Sequence, residues 1–190
     1  MNLQTFESRL RALIGDTTQL RPFVCHGSPL QCEIFLVGIE AATKMKAGFW
    51  DFWKPGYGFD RDAWEEAYVR ERRELGKTAK SPTRRNTDCF IDGAKGFSVL
   101  ETNVYAAPRA RYRRDGSEIR APFRFLLEAM QPKVIFVHGG AARKELAAMN
   151  LAVPVLEANH LSYQTSQDMA REYGRQAAAV LRAAASPPSF

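Results

Sequence analysis

The sequence predicts an α/β protein with three layers, α/β/α, around a four-stranded and mainly parallel sheet. Two observations carry this prediction. Short apolar runs rich in β-branched and aromatic residues recur along the chain, and segments with helical spacing of apolar residues lie between them. Strands that alternate with helices favour a parallel sheet with helical crossovers, and near-continuous apolar runs indicate strands buried on both faces. The four predicted strands are 33–40, 97–103, 133–138 and 153–158.

The helical segments complete this architecture. A proline in the first turn favours a helix start at Pro122, and Ser166 is a suitable N-cap for a long alanine-rich helix. We expect a single domain over 1–185 and a frayed tail over 186–190. The predicted helices are 3–14, 62–75, 122–130, 141–149 and 167–185.

The positive charge of the chain is concentrated in two short windows. The 190 residues include 27 Lys and Arg against 21 Asp and Glu, a formal net charge of +6. Eight of these bases lie within 77–87 and 109–114, which contain no acid. The other 19 bases and all 21 acids would give a net charge of −2. A local basic excess of this kind predicts a polyanionic partner near the two windows.

Cysteine usage and hydropathy restrict the class of protein. The three cysteines include no Cys-x-x-Cys pair, and an odd number cannot form a closed disulfide framework. We therefore expect reduced thiols and a cytoplasmic location. The first 15 residues mix charged with apolar side chains, unlike a signal peptide, and the longest clean apolar run, 34–39, is far shorter than a membrane span. We expect no membrane association.

Polar side chains or glycine turns follow each predicted strand. Glu40 ends the first run, Asn103 ends the second, His138 precedes two glycines after the third, and His160 follows the fourth. Ligands of open parallel sheets bind beyond the carboxyl ends of the strands. The sequence therefore predicts a functional site built from these residues, although His138 has no role that the sequence assigns.

In their order and strand context, these segments resemble the active-site motifs of the uracil-DNA glycosylase superfamily. The segments that carry the resemblance are 38–42 (Gly-Ile-Glu-Ala-Ala), 102–109 (Thr-Asn-Val-Tyr-Ala-Ala-Pro-Arg), 138–142 (His-Gly-Gly-Ala-Ala) and 160–163 (His-Leu-Ser-Tyr). The first lacks the family's proline and has glutamate as its acid. The last has leucine where the family has proline. One branch of the family places an iron–sulfur cluster cysteine where this chain has Ala107, and three cysteines are too few for such a cluster.

The resemblance implies cleavage of the N-glycosidic bond of a flipped, deaminated or damaged base in DNA. It implies that Glu40 positions water or stabilises the sugar cation and that His160 stabilises the departing base. Asn103 would read the edge of the base. An aromatic side chain would stack on the base, and the spacing from the first motif points to Phe52 or Trp53, with Phe49 as the alternative register.

The resemblance also implies contacts with the DNA. Ser162 would hold a phosphate, and Leu161 or Tyr163 would wedge into the gap left by the flipped base. The basic windows would supply further phosphate contacts, which give affinity without sequence information. We expect a monomer that needs no cofactor and no metal. The expected phosphate-binding residues of the two windows are Lys80, Arg84, Arg85, Arg109, Arg111, Arg113 and Arg114.

Simpler interpretations stay open for each of these features. The alternatives are a helix cap for Glu40, a turn residue for Asn103 and an ordinary loop histidine for His160. For the aromatic residues of 49–59 the alternative is packing in the core, and for the basic windows it is solvated loops. At the level of function, two alternatives remain. One is a relative that binds nucleic acid or a nucleotide without cleaving it, and the other is a small-molecule enzyme on the same scaffold.

Overall fold

The computed structural model describes residues 1–109 and 119–185. The central sheet has five strands. Four of them are parallel to one another and correspond to the four predicted strands: β2 (Ile34–Glu40), β5 (Val99–Tyr105), β6 (Val134–His138) and β7 (Val155–Ala158). With β1 (Phe23–Val24), the order across the sheet is β1-β5-β2-β6-β7. The mainly parallel sheet is therefore confirmed, but with one strand more than predicted.

The additional strand, β1, contains only Phe23–Val24 and pairs antiparallel with β5 at one edge of the sheet. Two residues are too few for a periodic apolar pattern, so the sequence gives no signal for this strand. A separate antiparallel ribbon pairs β3 (Trp53–Lys54) with β4 (Gly58–Phe59). Its two strands are equally short and were not predicted either.

The helices pack on both faces of the sheet. The first face carries α1 (Leu3–Ile14), α4 (Ala121–Met130) and α5 (Gly140–Ala147). Their apolar side chains share one core cluster with the buried residues of β2 and β6 that point to this face. The second face carries α3 (Pro82–Gly93) and α6 (Gln167–Ala185), which form a second cluster with the alternate residues of the same strands. This arrangement is compatible with three α/β/α layers. The remaining helix, α2 (Arg61–Glu74), packs on the short 3-10 helix Phe49–Phe52.

Most helix boundaries follow from local capping. The Asp60 carboxylate accepts a hydrogen bond from Ala63 N at 3.1 Å and starts α2 one residue before the predicted helix. Ser166 Oγ accepts a hydrogen bond from Met169 N at 3.2 Å, in agreement with its predicted role at the start of α6. The predicted frayed tail, 186–190, lies outside the described residues.

Helix α3 was not predicted, and the reason lies in its inward face. The buried residues of α3 are Phe90 and two polar residues, Asn86 and Thr87. The sequence therefore shows no apolar repeat at helical spacing in this segment. Its ends nevertheless have clear signals, because Ser81 Oγ accepts a hydrogen bond from Arg84 N at 3.1 Å and Pro82 occupies the first turn. A side chain on Gly174 of α6 would collide with the backbone of α3, so the two helices lie in direct contact.

Candidate functional site

The candidate site lies where the parallel strands end, and its centre is one row of residues across three strands. Asn103 of β5 is in register with Gly38 of β2. Leu36 pairs with Phe136 of β6, and His138 lies two residues beyond that partner on the same face of its strand. Asn103, Gly38 and His138 are therefore neighbours on one face of the sheet. Parallel pairing, rather than proximity in sequence, brings the amide and the imidazole together.

The absence of a side chain at Gly38 allows these two groups to approach each other. A Cβ atom at Gly38 would lie 2.7 Å from Asn103 Oδ1 and 3.3 Å from His138 Nε2. The first of these distances is shorter than any normal contact of a Cβ atom. The space above Gly38 is thus occupied by the amide oxygen and the ring nitrogen, which both face the same point in the site.

His160 reaches this row from the loop that follows β7. Its ring contacts that of His138 edge to face, with ring centroids 5.0 Å apart. The loop is fixed by Asn86 of α3, whose side-chain amide donates hydrogen bonds to Ser162 O at 3.2 Å and to Thr165 O at 2.6 Å. Thr165 Oγ1 in turn donates to His160 O at 3.1 Å. A buried polar side chain that the sequence analysis did not single out therefore positions the predicted catalytic histidine.

Burial makes both histidines neutral at physiological pH. The pKa of His138 is lowered to about 3, first by desolvation and then by the neighbouring His160. Desolvation also lowers the pKa of His160. The Nδ1 atoms of both rings are buried and have no hydrogen-bond partner among residues 1–109 and 119–185. A neutral imidazole can donate a hydrogen bond without carrying a charge, which suits stabilisation of a developing anion.

Glu40 ends β2 at the same end of the sheet and pairs in register with Tyr105 of the neighbouring strand β5. Only 4% of its side chain is exposed, and its Oε2 atom lies 4.0 Å from Arg109 Nε. Arg109 is tied to this turn, because its backbone N–H donates to Ala41 O at 2.7 Å. Buried carboxylates require such neighbours. Arg109, which the sequence assigned to DNA, thus lies beside the candidate catalytic acid.

These groups share one cavity of about 410 Å³. Glu40, Asn103, His138 and His160 all line it, so the structure brings together every strand-end residue that the sequence singled out. The volume lies within the range of small-molecule sites in proteins, roughly 300–1,000 Å³. The cavity extends along the strand ends from the histidines on the β7 side to Arg21, Phe23 and Val24 on the β1 side.

The predicted base-stacking aromatics lie elsewhere. Phe49, Phe52 and Trp53 are 4–7% exposed and belong to the apolar core. None of them is among the described residues that line this cavity. They pack internally because the segment is held against α1 and β1 by ring contacts, including Phe49 with Phe23 at 5.0 Å between centroids. The aromatic side chains of the cavity are instead Phe23, Trp64 and Tyr68, and the rings of Trp64 and Tyr68 stack at 5.4 Å.

Two of the four cations of the first basic window are neutralised by acids within the protein. Arg84 forms a close ion pair with the buried Glu101, and Glu101 forms a second ion pair with Arg61. Burial alone would raise the pKa of Glu101, but the two guanidinium groups outweigh this effect and lower it. Lys80 pairs with Glu65 and Asp88. Arg84 and Lys80 are therefore structural cations here rather than free phosphate ligands.

Arg85 and the last motif have mixed outcomes. Arg85 is exposed, and its guanidinium donates to Lys80 O at 2.9 Å, leaving it at the surface as expected.

Leu161 is fully buried in the second core cluster, which removes it as a wedge in this conformation, whereas Tyr163 is 91% exposed. Ser162 is half-buried, and its carbonyl oxygen accepts from Asn86. Arg111, Arg113 and Arg114 lie outside the described residues.

Within 1–109 and 119–185, no three His, Cys, Asp or Glu side chains are grouped so that they could hold a metal ion. In the same part of the chain, no helix has both the length and the apolar character required to cross a membrane. Comparison with known proteins finds no matching family model and no matching curated protein.

Proposed function

We propose that the protein is an N-glycosyl hydrolase of the uracil-DNA glycosylase type, with the corresponding fold, that acts on a flipped, deaminated or damaged base in DNA. One observation carries the proposal: the carboxylate of Glu40, the amide of Asn103 and the imidazole of His160 line the same cavity. Cleavage of a glycosidic bond needs groups of these kinds around one base. Their convergence is more than the separate structural roles of a cap, a turn residue and a loop histidine require.

Each side chain has a chemical task in this reaction. The Asn103 amide has both a donor and an acceptor and can pair with the edge of a pyrimidine. His160, neutral because of burial, donates a hydrogen bond to the base oxygen that gains negative charge as the bond breaks. Glu40 faces the positive charge that develops on the sugar, or orients the attacking water. Because the aromatics of 49–53 lie in the core, we assign no base-stacking role to them.

The test uses labelled DNA with a single uracil, in single-stranded and duplex form, followed by alkali to cleave abasic sites. We expect strand breaks that depend on the protein. Replacement of His160 by alanine should lower the rate by about 10²- to 10³-fold, which is typical for loss of one donor to a developing oxyanion. The matched control is His26→Ala, because His26 is exposed, bonds to Tyr57 at 3.3 Å and does not line the cavity. No breaks with uracil, hypoxanthine and xanthine substrates would refute the proposal.

A second candidate function is binding of nucleic acid or a nucleotide without cleavage. The observation that favours it is Arg109 beside Glu40, with Nε and Oε2 4.0 Å apart. A carboxylate that faces a guanidinium is less available to the sugar or to an attacking water molecule. This candidate predicts salt-dependent binding with no alkali-labile product. Unchanged binding in Arg85→Gln, an exposed cation of the first window, would remove Arg85 from either function.

A further inference from the structure

The β1 end of the cavity has a different chemistry from the histidine end. Four cationic and two acidic side chains line the cavity as a whole. Arg21 precedes β1 at one edge of the sheet, whereas His138 ends β6 three strands away. Arg72 lies 5.6 Å from the ring centroid of Tyr68, and Lys77 N donates to Arg72 O at 2.9 Å. The cavity is therefore polar along its length, with a cationic end beside β1 and hydrogen-bonding groups toward β7.

Arg21 is the central residue of the cationic end. Its backbone N–H donates to Ala106 O at 2.9 Å, which fixes the residue at the strand ends. Its guanidinium lies 5.7 Å from the ring centroid of Trp64. Among the residues that the structure describes, no acid forms an ion pair with it, because Glu101 is already held by Arg84 and Arg61. Desolvation, and next the charge of Arg84, lower the pKa of Arg21 to about 10, so the guanidinium stays charged at neutral pH.

Neighbouring groups add positive charge and hydroxyl donors. Lys77 is exposed at the cavity rim, and Arg72 is held there by a hydrogen bond from its Nε to Thr78 O at 2.7 Å. The hydroxyl groups of Ser81 and Thr83 also line the cavity. A partly buried guanidinium that forms no ion pair with the described residues, flanked by cations and hydroxyls, has the groups that bind phosphate most strongly.

We propose that the cationic end of the cavity, Arg21 with Arg72 and Lys77, binds a phosphate group of the nucleotide whose base lies at Asn103 and His160. The inference deepens the proposed function and rests on it only for the identity of the base. The phosphate belongs to a mononucleotide or to the DNA backbone, and both sources offer the same oxyanion to Arg21. A cavity with a cationic end and a base-reading end fits a nucleotide better than a free base or a nucleoside.

Calorimetric titration tests this site without any requirement for catalysis. The probes are inorganic phosphate, deoxyuridine, dUMP and a single-stranded oligonucleotide that contains one deoxyuridine. We expect dUMP or the oligonucleotide to bind more tightly than deoxyuridine. Binding of dUMP identifies a mononucleotide phosphate, whereas binding of the oligonucleotide alone identifies a backbone phosphate. Affinities for dUMP and the oligonucleotide no higher than for deoxyuridine would overturn the proposal.

Variants assign the effect to the cationic end. Arg21→Gln should weaken binding of the phosphorylated probe by about 10- to 100-fold, the range for a lost charge-assisted hydrogen bond, and leave deoxyuridine binding unchanged. Lys77→Gln removes an exposed side chain that cannot affect folding strongly, and should weaken the same probe by a smaller factor. Arg124→Gln on the exposed side of α4 is the charge-matched control and should have no effect.

The possible failures are distinguishable. Phosphate binding that depends on Arg21, without release of a base from DNA, would support the cationic end and refute the hydrolase. Base release that is unaffected by Arg21→Gln and Lys77→Gln, with unchanged affinity for every probe, would support the hydrolase and overturn the phosphate site.

Discussion

Replacement of Gly38 by alanine tests the geometry of the site most directly. The new Cβ would lie 2.7 Å from Asn103 Oδ1 and 3.3 Å from His138 Nε2. An ordinary van der Waals contact begins at 3.4 Å. The Asn103 amide must therefore move by roughly 0.7 Å, and the His138 ring by much less. Because the amide faces a cavity, it can move into open space, and the cost to folding should be about 1 kcal/mol, the low end for overpacking.

The effect on function should be far larger than the effect on stability. A displacement near 1 Å of a positioning group can cost about 10²-fold in rate. We therefore expect Gly38→Ala to lower uracil excision, and the affinity for deoxyuridine, by about 10- to 100-fold while it shifts the free energy of unfolding by about 1 kcal/mol. Excision is measured with labelled DNA, deoxyuridine affinity by calorimetry, and stability by urea denaturation.

Gly140 provides the matched control for this substitution. A Cβ atom there would have only the flexible Arg143 side chain near it, at 4.0 Å, so Gly140→Ala should leave both excision and binding unchanged. A Gly38→Ala variant with wild-type excision and wild-type deoxyuridine affinity would refute the reasoning that Asn103 and His138 act across Gly38.

Two further predictions concern the buried charges. Glu101→Gln leaves Arg84 and Arg61 without their shared carboxylate and should lower the free energy of unfolding by about 3–5 kcal/mol in urea denaturation; a loss below about 1 kcal/mol would contradict a buried network. His138 has a folded-state pKa of about 3, below its value in the unfolded chain, so protons bind preferentially to the unfolded state and stability is lost as pH falls from about 6.5 toward 3. Between pH 7 and pH 5 the wild type should lose about 2 kcal/mol more than His138→Asn, and equal losses would show that His138 is protonated in the folded protein.

The parallel sheet and the positions of the site residues were predictable because both depend on local patterns. The strands β2 and β6 are near-continuous apolar runs, and the polar residue at the end of each parallel strand is visible in the sequence. Helix α3 was missed because its buried face is polar at Asn86 and Thr87. The same polarity gives α3 its role, since Asn86 fixes the loop that carries His160.

The aromatic assignment failed for a related reason. Sequence spacing after the first motif pointed to Phe49, Phe52 and Trp53, but a large apolar side chain is equally suited to a core and to a pocket wall. The packing against α1 and β1 decides between them, and it places all three in the core. Trp64 and Tyr68 line the cavity instead. Their spacing is that of any amphipathic helix, so the sequence does not mark them as residues of a site.

The sequence by itself determined the alternation of strands and helices, the residues at the strand ends and the uneven distribution of charge. These are properties of short segments, read from periodicity and composition. Only the tertiary structure decided which charges are free. Arg84 and Lys80 belong to a basic window in sequence but meet Glu101, Glu65 and Asp88 in the folded chain. Arg21 belongs to no basic window, yet it lines the cavity and forms no ion pair within 1–109 and 119–185. Ion pairing depends on distances between segments that are far apart in sequence.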